Sequence, residues 1–315
     1  MKINYNFFKN KRVLINGANG YIGNQILENL KTTGCKITTI SKRRYKYDYK
    51  INNIYFHKNR LPKIKDKFDI IYLCGANTSL KENEIYQSNL IREYLFFLQH
   101  LLSEIAHQKS LKTRVVFLSS ATIFGLKSIN TNNFSKPKPI TPYDLNKVIF
   151  EDFLSHFSLI HNLQIVILRL TNVYGYSKVT SSKSDRGFIN NTIYKFINKE
   201  EVTIYDNGKY YRNFIDVEDV LNALLISAYN KNVVNRKYII GNSKNYKIIS
   251  FINKIKKFFE KKHNIKINLK FIKSPKNIDL INLRNFKNFD KTFSIDTGWH
   301  CRNSVTNTLN KFIRH

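Results

Sequence analysis

The chain has 315 residues, of which 42% are hydrophobic and 14% aromatic, and this composition excludes a disordered protein and allows a sizeable core. The formal net charge is +31, but the basic residues are scattered rather than clustered, so we expect weak attraction to polyanions and no specific nucleic-acid partner. No apolar run is long enough for a membrane span, the first residues lack a signal peptide, and the three cysteines are widely spaced. A reduced, cytoplasmic protein without a metal site is therefore predicted.

The first half of the chain alternates short apolar runs with helical stretches. Helices are predicted at about residues 21–31, 83–107 and 142–160. Six apolar runs are predicted to be strands, at residues 12–16, 35–40, 53–57, 69–74, 114–119 and 163–170. Strands without polar alternation, separated by helices, are typical of a parallel sheet that is covered on both faces. The sequence thus predicts an α/β fold with a doubly wound parallel sheet of the Rossmann type.

The regular alternation of apolar strands and helices ends at about residue 171. The polar stretch SKVTSSKSDRG (177–187) precedes a mixture of short strands and helices. We predict a dinucleotide-binding Rossmann domain over residues 1–175 and a smaller C-terminal α/β lobe over 176–315 that mainly binds substrate. Segments near 212–240 are predicted to return to the first domain.

A glycine-rich turn, NGANGYIG (16–23), follows the first strand and opens the first helix. Gly17, Gly20 and Gly23 have the spacing GxxGxxG. Such a turn lets the backbone approach a pyrophosphate, whose negative charge then lies at the helix N-terminus. Because the turn stands between strand and helix near the start of the chain, it predicts a dinucleotide site.

The segment TPYDLNK (141–147) follows the fifth strand. Thr141 is a suitable N-cap, so a helix should begin at Pro142 and present Tyr143 and Lys147 on one face, four residues apart. An ammonium close to the phenol is expected to lower the pKa of the tyrosine and make it an acid/base near neutrality. The strand end SSATIFG (119–125) places Ser120 at the same edge of the sheet.

Five motifs together resemble those of the extended short-chain dehydrogenases/reductases, within the NAD-dependent epimerase/dehydratase group that modifies nucleotide sugars. They are NGANGYIG, SSATIFG, TPYDLNK, LRLTNVYG (168–175) and RNFIDVEDV (212–220). The resemblance implies hydride transfer at a sugar carbon, most often C4, of a nucleoside-diphosphate sugar. It also implies a role in polysaccharide biosynthesis and a homodimer formed through the helices near 83–107 and 142–160.

The resemblance also assigns roles to individual residues. Tyr143 would be the acid/base, Lys147 would hold the nicotinamide ribose, and Ser120 would bind the reacting oxygen with support from Thr122. The cofactor-binding residues would be Gly17, Asn19, Gly20, Tyr21, Ile22, Gly23, Ser41, Arg43, Cys74, Gly75 and Ala76, with Tyr143 and Lys147. The substrate-binding residues would be Ser120, Asn172, Arg212 and Arg186.

Three departures from the family pattern narrow the prediction. Ala121 and Thr122 stand where dehydratases carry an Asp-Glu pair, so dehydration is not expected. Asn213 replaces the Asp that commonly follows the phosphate-binding arginine. The second strand ends in Ser41 and the basic run 42–44, without the acid that binds the ribose 2′-hydroxyl of NAD, and this favours NADP(H) over NAD.

Three functions remain open from the sequence. The first is an NAD(P)-dependent epimerase, which oxidises a sugar carbon and reduces it again on the other face. The second is an NADPH-dependent reductase of a 4-keto-sugar nucleotide, which uses the same site once. The third is a non-catalytic or RNA-binding member of the fold, supported by the +31 charge and opposed by the intact Ser120, Tyr143 and Lys147.

Overall fold

The computed structural model describes residues 3–42, 51–56, 64–75, 87–107, 112–161, 163–178, 187–274, 284–288 and 290–314. The strands in these ranges are β1 Arg12–Asn16, β2 Lys36–Ser41, β3 Asn52–Tyr55, β4 Ile70–Leu73, β5 Arg114–Ser120, β6 Lys127–Thr131, β7 Gln164–Leu170, β8 Asn172–Tyr174, β9 Val202–Tyr205, β10 Tyr211–Asp216, β11 Arg236–Ile240, β12 Asn245–Lys247, β13 Leu269–Ile272 and β14 Asn285–Asn288. The helices are α1 Tyr21–Leu30, α2 Gln87–Ala106, α3 Pro142–His161, α4 Gly187–Ile197, α5 Val217–Tyr229, α6 Ile248–His263, α7 Thr292–Thr297 and α8 Val305–Arg314.

Seven of these strands form one parallel sheet in the order β11-β7-β5-β4-β1-β2-β3. The order reverses between β1 and β4, which is the switch point where an open α/β sheet binds ligands. All six predicted strands are present, each within about two residues of the predicted bounds. The predicted fold class is confirmed, and β11 adds a seventh strand that the apolar pattern did not predict.

The sheet is buried on both faces, as its continuous apolar runs require. All seven residues of β5 and all four of β4 are buried. One face packs against α1 and α5 in a core that includes Val116 and Val166, and the other packs against α2 and α3 in a core that includes Phe117. Successive strand residues point to opposite faces, so every second residue of β5 enters the other core. The sheet thus holds both helix layers rigidly beneath its carboxyl edge.

The C-terminal residues form a smaller lobe around a third core, built from α4, β9, α6 and α8. Short sheets connect this lobe to the carboxyl edge of the main sheet: β12-β10-β8, β13-β9 and β14-β6. The pairing of β14 with β6 brings residues 285–288 beside residues 127–131, next to the end of β5. No helix within the described residues is long and apolar enough to cross a membrane.

Candidate active site

The glycine turn joins β1 to α1 in close contact with the end of β4. Gly17 has a φ of +77°, and a Cβ there would lie 2.6 Å from the Cα of Gly75. A Cβ on Gly23 would lie 2.2 Å from the carbonyl oxygen of Gly17. The strand ends therefore approach more closely than any side chain would permit, and the backbone N–H groups at the start of α1 remain available for an anion.

Asn16, the last residue of β1, links three strand ends. Its buried side chain accepts a hydrogen bond from the backbone N–H of Gly75 at 3.0 Å through Oδ1 and donates to the carbonyl of Ile40 at 3.4 Å through Nδ2. No role was predicted for Asn16, although an amide at the end of an apolar strand was a usable signal. Asn16 therefore holds the ends of β1, β2 and β4 together at the place where a dinucleotide would bind.

A cavity of about 300 Å³ extends from this turn along α2 and α3. Five of the predicted cofactor residues line it, namely Gly17, Ser41, Gly75, Tyr143 and Lys147. Cys74 precedes Gly75, and burial raises the pKa of its thiol to about 12. The position of the cavity at the switch point and the glycines that line it fit a nicotinamide dinucleotide.

Among the described residues, the other predicted cofactor residues do not line this cavity. Asn19, Gly20, Ile22 and Gly23 form the turn and the first turn of α1. The Tyr21 hydroxyl donates to the carbonyl of Gly175 at 2.7 Å, so this side chain ties the turn to the segment after β8. The predicted residues Arg43, Ala76 and Arg186 lie outside the described residues.

The helix α3 begins at Pro142 as predicted, with the Thr141 hydroxyl accepting from the backbone N–H of Asp144 at 3.2 Å. Its first two turns bring Tyr143 and Lys147 together, with Lys147 Nζ 5.8 Å from the centroid of the Tyr143 ring. Ser120, at the end of β5, is close enough to Tyr143 for its side chain to act toward a lower pKa of the phenol. Ser120 Oγ also lies 2.8 Å from Thr122 Oγ1, the support predicted for it. Ser120, Tyr143 and Lys147 thus form one group.

The protonation of this group differs from the sequence-based expectation. Burial is the largest effect on Tyr143 and raises its pKa to about 12, although the side chain of Ser120 acts in the opposite direction. Lys147 Nζ donates to the carbonyl of Leu118 at 2.7 Å, and burial lowers the pKa of this ammonium to about 8. The expected lowering of the tyrosine pKa is absent from the structure because desolvation outweighs nearby positive charge.

A buried acid lies one turn after Lys147. Glu151 accepts hydrogen bonds from Ser119 at 2.5 Å and from Nη2 of Arg169 at 2.7 Å. Its charge acts on Lys147 against the effect of burial and raises the pKa of that ammonium. Glu151 thereby helps keep Lys147 protonated.

A second cavity of about 410 Å³ lies between the carboxyl edge of the sheet and the C-terminal lobe. Thr122, Asn172, Arg212 and Arg284 all line it. Both arginines are buried, and the pKa of Arg212 falls to about 10, first because of burial and then because of the charge of Arg284. Two buried guanidinium groups at one cavity form a candidate site for an anion.

Arg284 is a site residue that the sequence did not reveal. Its Nη2 pairs with the fully buried carboxylate of Asp144, the residue after Tyr143. Its buried Nε has no hydrogen-bond partner among the described residues. Arg284 therefore joins the anion site to the start of the helix that carries Tyr143.

The two asparagines noted in the sequence have different positions. Asn172 lines the second cavity as predicted for a substrate residue, and its Nδ2 donates to the carbonyl of Asn213 at 3.0 Å. Asn213 is fully buried, accepts from Thr171 at 3.0 Å and donates to the carbonyl of Asn242 at 2.8 Å. An amide, which both donates and accepts, suits this position, and the departure from Asp is structural.

Gly23→Ala is expected to weaken dinucleotide binding about tenfold, because its Cβ would collide with the Gly17 carbonyl and push the turn from its position. The measurement is a titration of purified protein with NAD and NADPH. The matched control is Gly20→Ala, whose Cβ would lie 3.2 Å from the same oxygen, and it should cost less. Equal affinities of the two variants would contradict this account of the turn.

A Rossmann sheet, a glycine turn at its switch point and a Ser-Tyr-Lys group beside the cavity at that turn define a dinucleotide-binding α/β protein of the short-chain dehydrogenase/reductase type. The chain belongs to the NAD-dependent epimerase/dehydratase family, whose model matches residues 13–241. The family predicted from the five motifs is confirmed.

The chain is similar to several proteins whose names refer to nucleotide sugars. The chain is 27% identical over 263 residues to a dTDP-D-glucose 4,6-dehydratase of Dictyostelium discoideum, a match that covers 74% of this chain and 57% of that protein. It is 26% identical to the CDP-abequose synthase of Salmonella typhimurium, over 72% of this chain and 73% of the relative. The structure of MoeE5 in complex with UDP-glucose and NAD has a TM-score of 0.80 and 20% identity, over 96% of this chain and 97% of MoeE5.

Proposed function

We propose that this chain is an NAD(P)-dependent nucleotide-sugar epimerase that acts by hydride transfer at a sugar carbon, C4, with Tyr143 as the acid/base. One observation carries the proposal: Tyr143 and Lys147 line the first cavity, while Thr122, whose hydroxyl lies 2.8 Å from Ser120 Oγ, lines the cavity with two buried arginines. A hydride-transfer enzyme needs these two neighbouring sites, one for each reactant. The neighbouring structure MoeE5 holds UDP-glucose and NAD together.

In the first cavity, a bound nicotinamide dinucleotide would supply the group that takes a hydride from the sugar and returns it. Gly17, Gly20 and Gly23 would surround its pyrophosphate at the start of α1, and Lys147 would hold the nicotinamide ribose. The ammonium of Lys147, fixed on the carbonyl of Leu118, adds positive charge beside Tyr143. This charge favours the loss of the phenolic proton whenever Tyr143 acts as a base.

Tyr143 and Ser120 would handle the proton of the reacting oxygen. The hydroxyl of Ser120 holds this oxygen, and Tyr143 removes its proton as the carbon is oxidised and returns the proton when the carbon is reduced. Thr122 fixes Ser120 through the 2.8 Å contact between their hydroxyls. Neither Thr122 nor Ala121 carries the carboxyl group that would eliminate water, and the absence of dehydratase activity stays a prediction.

In the second cavity, Arg212 and Arg284 would bind the diphosphate of the nucleotide sugar, with Asn172 beside them. A diphosphate carries about two negative charges and accepts several hydrogen bonds, which suits two guanidinium groups. Because Arg284 also pairs with Asp144, a diphosphate at this place is connected directly to the helix turn that holds Tyr143. The sugar would then point toward Ser120.

A keto-sugar nucleotide reductase is the second proposal, and the raised pKa of Tyr143 favours it. With a pKa of about 12, the phenol is protonated at neutral pH and ready to donate to the oxygen of a carbonyl. A reductase needs only this half of the cycle.

We further propose that the protein is a homodimer through α2 and α3. Phe96 of α2 is 57% exposed, and Leu159 and Ile160 of α3 are 83% and 61% exposed. Burial of these side chains against a second copy would stabilise such a dimer. The cytoplasmic location stays a prediction.

The first test is to assay the purified chain with UDP-, dTDP- and CDP-sugars and to identify any dinucleotide released on denaturation. Interconversion of two sugars without net consumption of added cofactor would support the epimerase. Stoichiometric oxidation of NADPH with a 4-keto-sugar nucleotide would support the reductase instead. Failure to bind any dinucleotide, together with tight RNA binding at physiological salt, would overturn both.

A further inference from the structure

Near the end of β2, the cavity proposed for the dinucleotide is lined by an acidic residue of α2, Glu93. Lys42, the residue after β2, has its Nζ 2.5 Å from Oε2 of Glu93. Both side chains line the cavity, beside Ser41. The acid that β2 lacks in sequence is therefore present in space, delivered by a helix that lies about 50 residues later.

We propose that Glu93 binds the ribose 2′-hydroxyl of the adenosine half of the cofactor, and that the chain consequently selects NAD over NADP(H). The inference rests on the proposed dinucleotide site and goes further, because it names the residue that sets the cofactor preference. It reverses the preference predicted from the sequence, which considered only the residues that follow β2.

Two aromatic side chains form the apolar wall at this end of the cavity. Phe56, just after β3, stacks on Phe97 of α2 with ring centroids 5.1 Å apart and an angle of 11° between the planes. Both residues line the cavity, and both are buried in the core beneath it. Glu93 lies one helical turn before Phe97, so it stands on the same face of α2, beside this apolar wall.

The carboxylate of Glu93 has an oxygen that can accept a hydrogen bond from the ribose hydroxyl. Its side chain is 21% exposed, and within the described residues only Oε2 is engaged, by Lys42. Oε1 is thus available to accept a hydrogen bond from a hydroxyl. A 2′-phosphate carries negative charge and offers no donor when ionised, so the same carboxylate would repel it.

Lys42 is the cation that the sequence offered to a 2′-phosphate. In the structure the ammonium of Lys42 pairs with Glu93. To bind NADP(H), this ammonium would have to leave Glu93 and expose the carboxylate to the phosphate. The ion pair therefore holds the acid in place and removes the cation as a phosphate ligand.

The test is a titration of the full chain, freed of dinucleotide, with NAD and NADP+ by intrinsic fluorescence or calorimetry. The wild type should bind NAD at least about tenfold more tightly than NADP+. Glu93→Gln should weaken NAD about tenfold and strengthen NADP+, which narrows or inverts the ratio. Glu104→Gln, the same change on α2 outside the cavity, should leave both affinities unaltered, and thermal unfolding of each variant checks the fold.

Each other outcome has a distinct meaning. If the wild type prefers NADP+ and Lys42→Ala removes that preference, Lys42 is the phosphate ligand and the role of Glu93 is overturned. An NAD preference that Glu93→Gln leaves unchanged would also overturn it, while the dinucleotide site itself would stand. If neither dinucleotide binds to the wild type, the proposed function fails together with this inference.

Discussion

Tyr143→Phe should lower kcat about a thousandfold while the affinity for dinucleotide changes little. The ring of Tyr143 lines the cofactor cavity, and phenylalanine preserves that surface. Only the hydroxyl that is proposed to transfer the proton is lost. The measurement is steady-state turnover of the nucleotide sugar identified by the first assay, together with a cofactor titration of the same preparation.

The control for this variant is Tyr229→Phe. The Tyr229 hydroxyl is buried, has no hydrogen-bond partner among the described residues, and lies at the end of α5 away from both cavities. Its removal should leave kcat unchanged. If Tyr143→Phe keeps kcat within about tenfold of the wild type, another group transfers the proton and the proposed mechanism is wrong.

Arg212→Met should raise KM for the nucleotide sugar about 10- to 100-fold and at the same time stabilise the protein in the absence of substrate. Arg212 is 9% exposed, and burial and the charge of Arg284 both disfavour its protonated form. An apolar side chain of similar length removes this repulsion, with an expected gain of about 1 kcal/mol, or about 2–4 °C in Tm. The two effects have opposite signs because the site holds positive charge for a ligand.

The measurement combines substrate kinetics with thermal unfolding of the protein without substrate. Arg236→Met is the control, because Arg236 is 55% exposed in its side chain and pairs with Asp296 away from both cavities. This change should alter neither KM nor Tm appreciably. A fall in Tm for Arg212→Met would show that Arg212 stabilises the fold, and would contradict the assignment of its charge to substrate binding.

Positive charge surrounds the place where the proposed reaction occurs. Arg212, Arg284 and Lys147 approach it from β10, the segment before β14 and α3. The nucleotide sugar and the dinucleotide both carry a diphosphate, so these groups would favour binding of both. The net charge of +31 adds a long-range attraction for the same anions.

The sequence by itself determined those features that depend on residues close together in the chain. Uninterrupted apolar runs specify buried parallel strands, and the glycine turn and the N-cap at Thr141 act through neighbouring residues. The helix that presents Tyr143 and Lys147 consequently begins where it was predicted, at Pro142. Five such motifs in a fixed order were sufficient to specify the family.

Which distant residues lie beside the proposed site depends on the tertiary structure. Arg284 pairs with Asp144 across 140 positions because β14 pairs with β6, and no local pattern around Arg284 indicates this register. Glu93 meets Lys42 only because α2 packs over the end of β2. The raised pKa of Tyr143 has the same origin, since desolvation depends on every element packed around the phenol. Spacing along the chain predicts which side chains share a helix face, whereas burial and long-range pairing follow from the assembled fold.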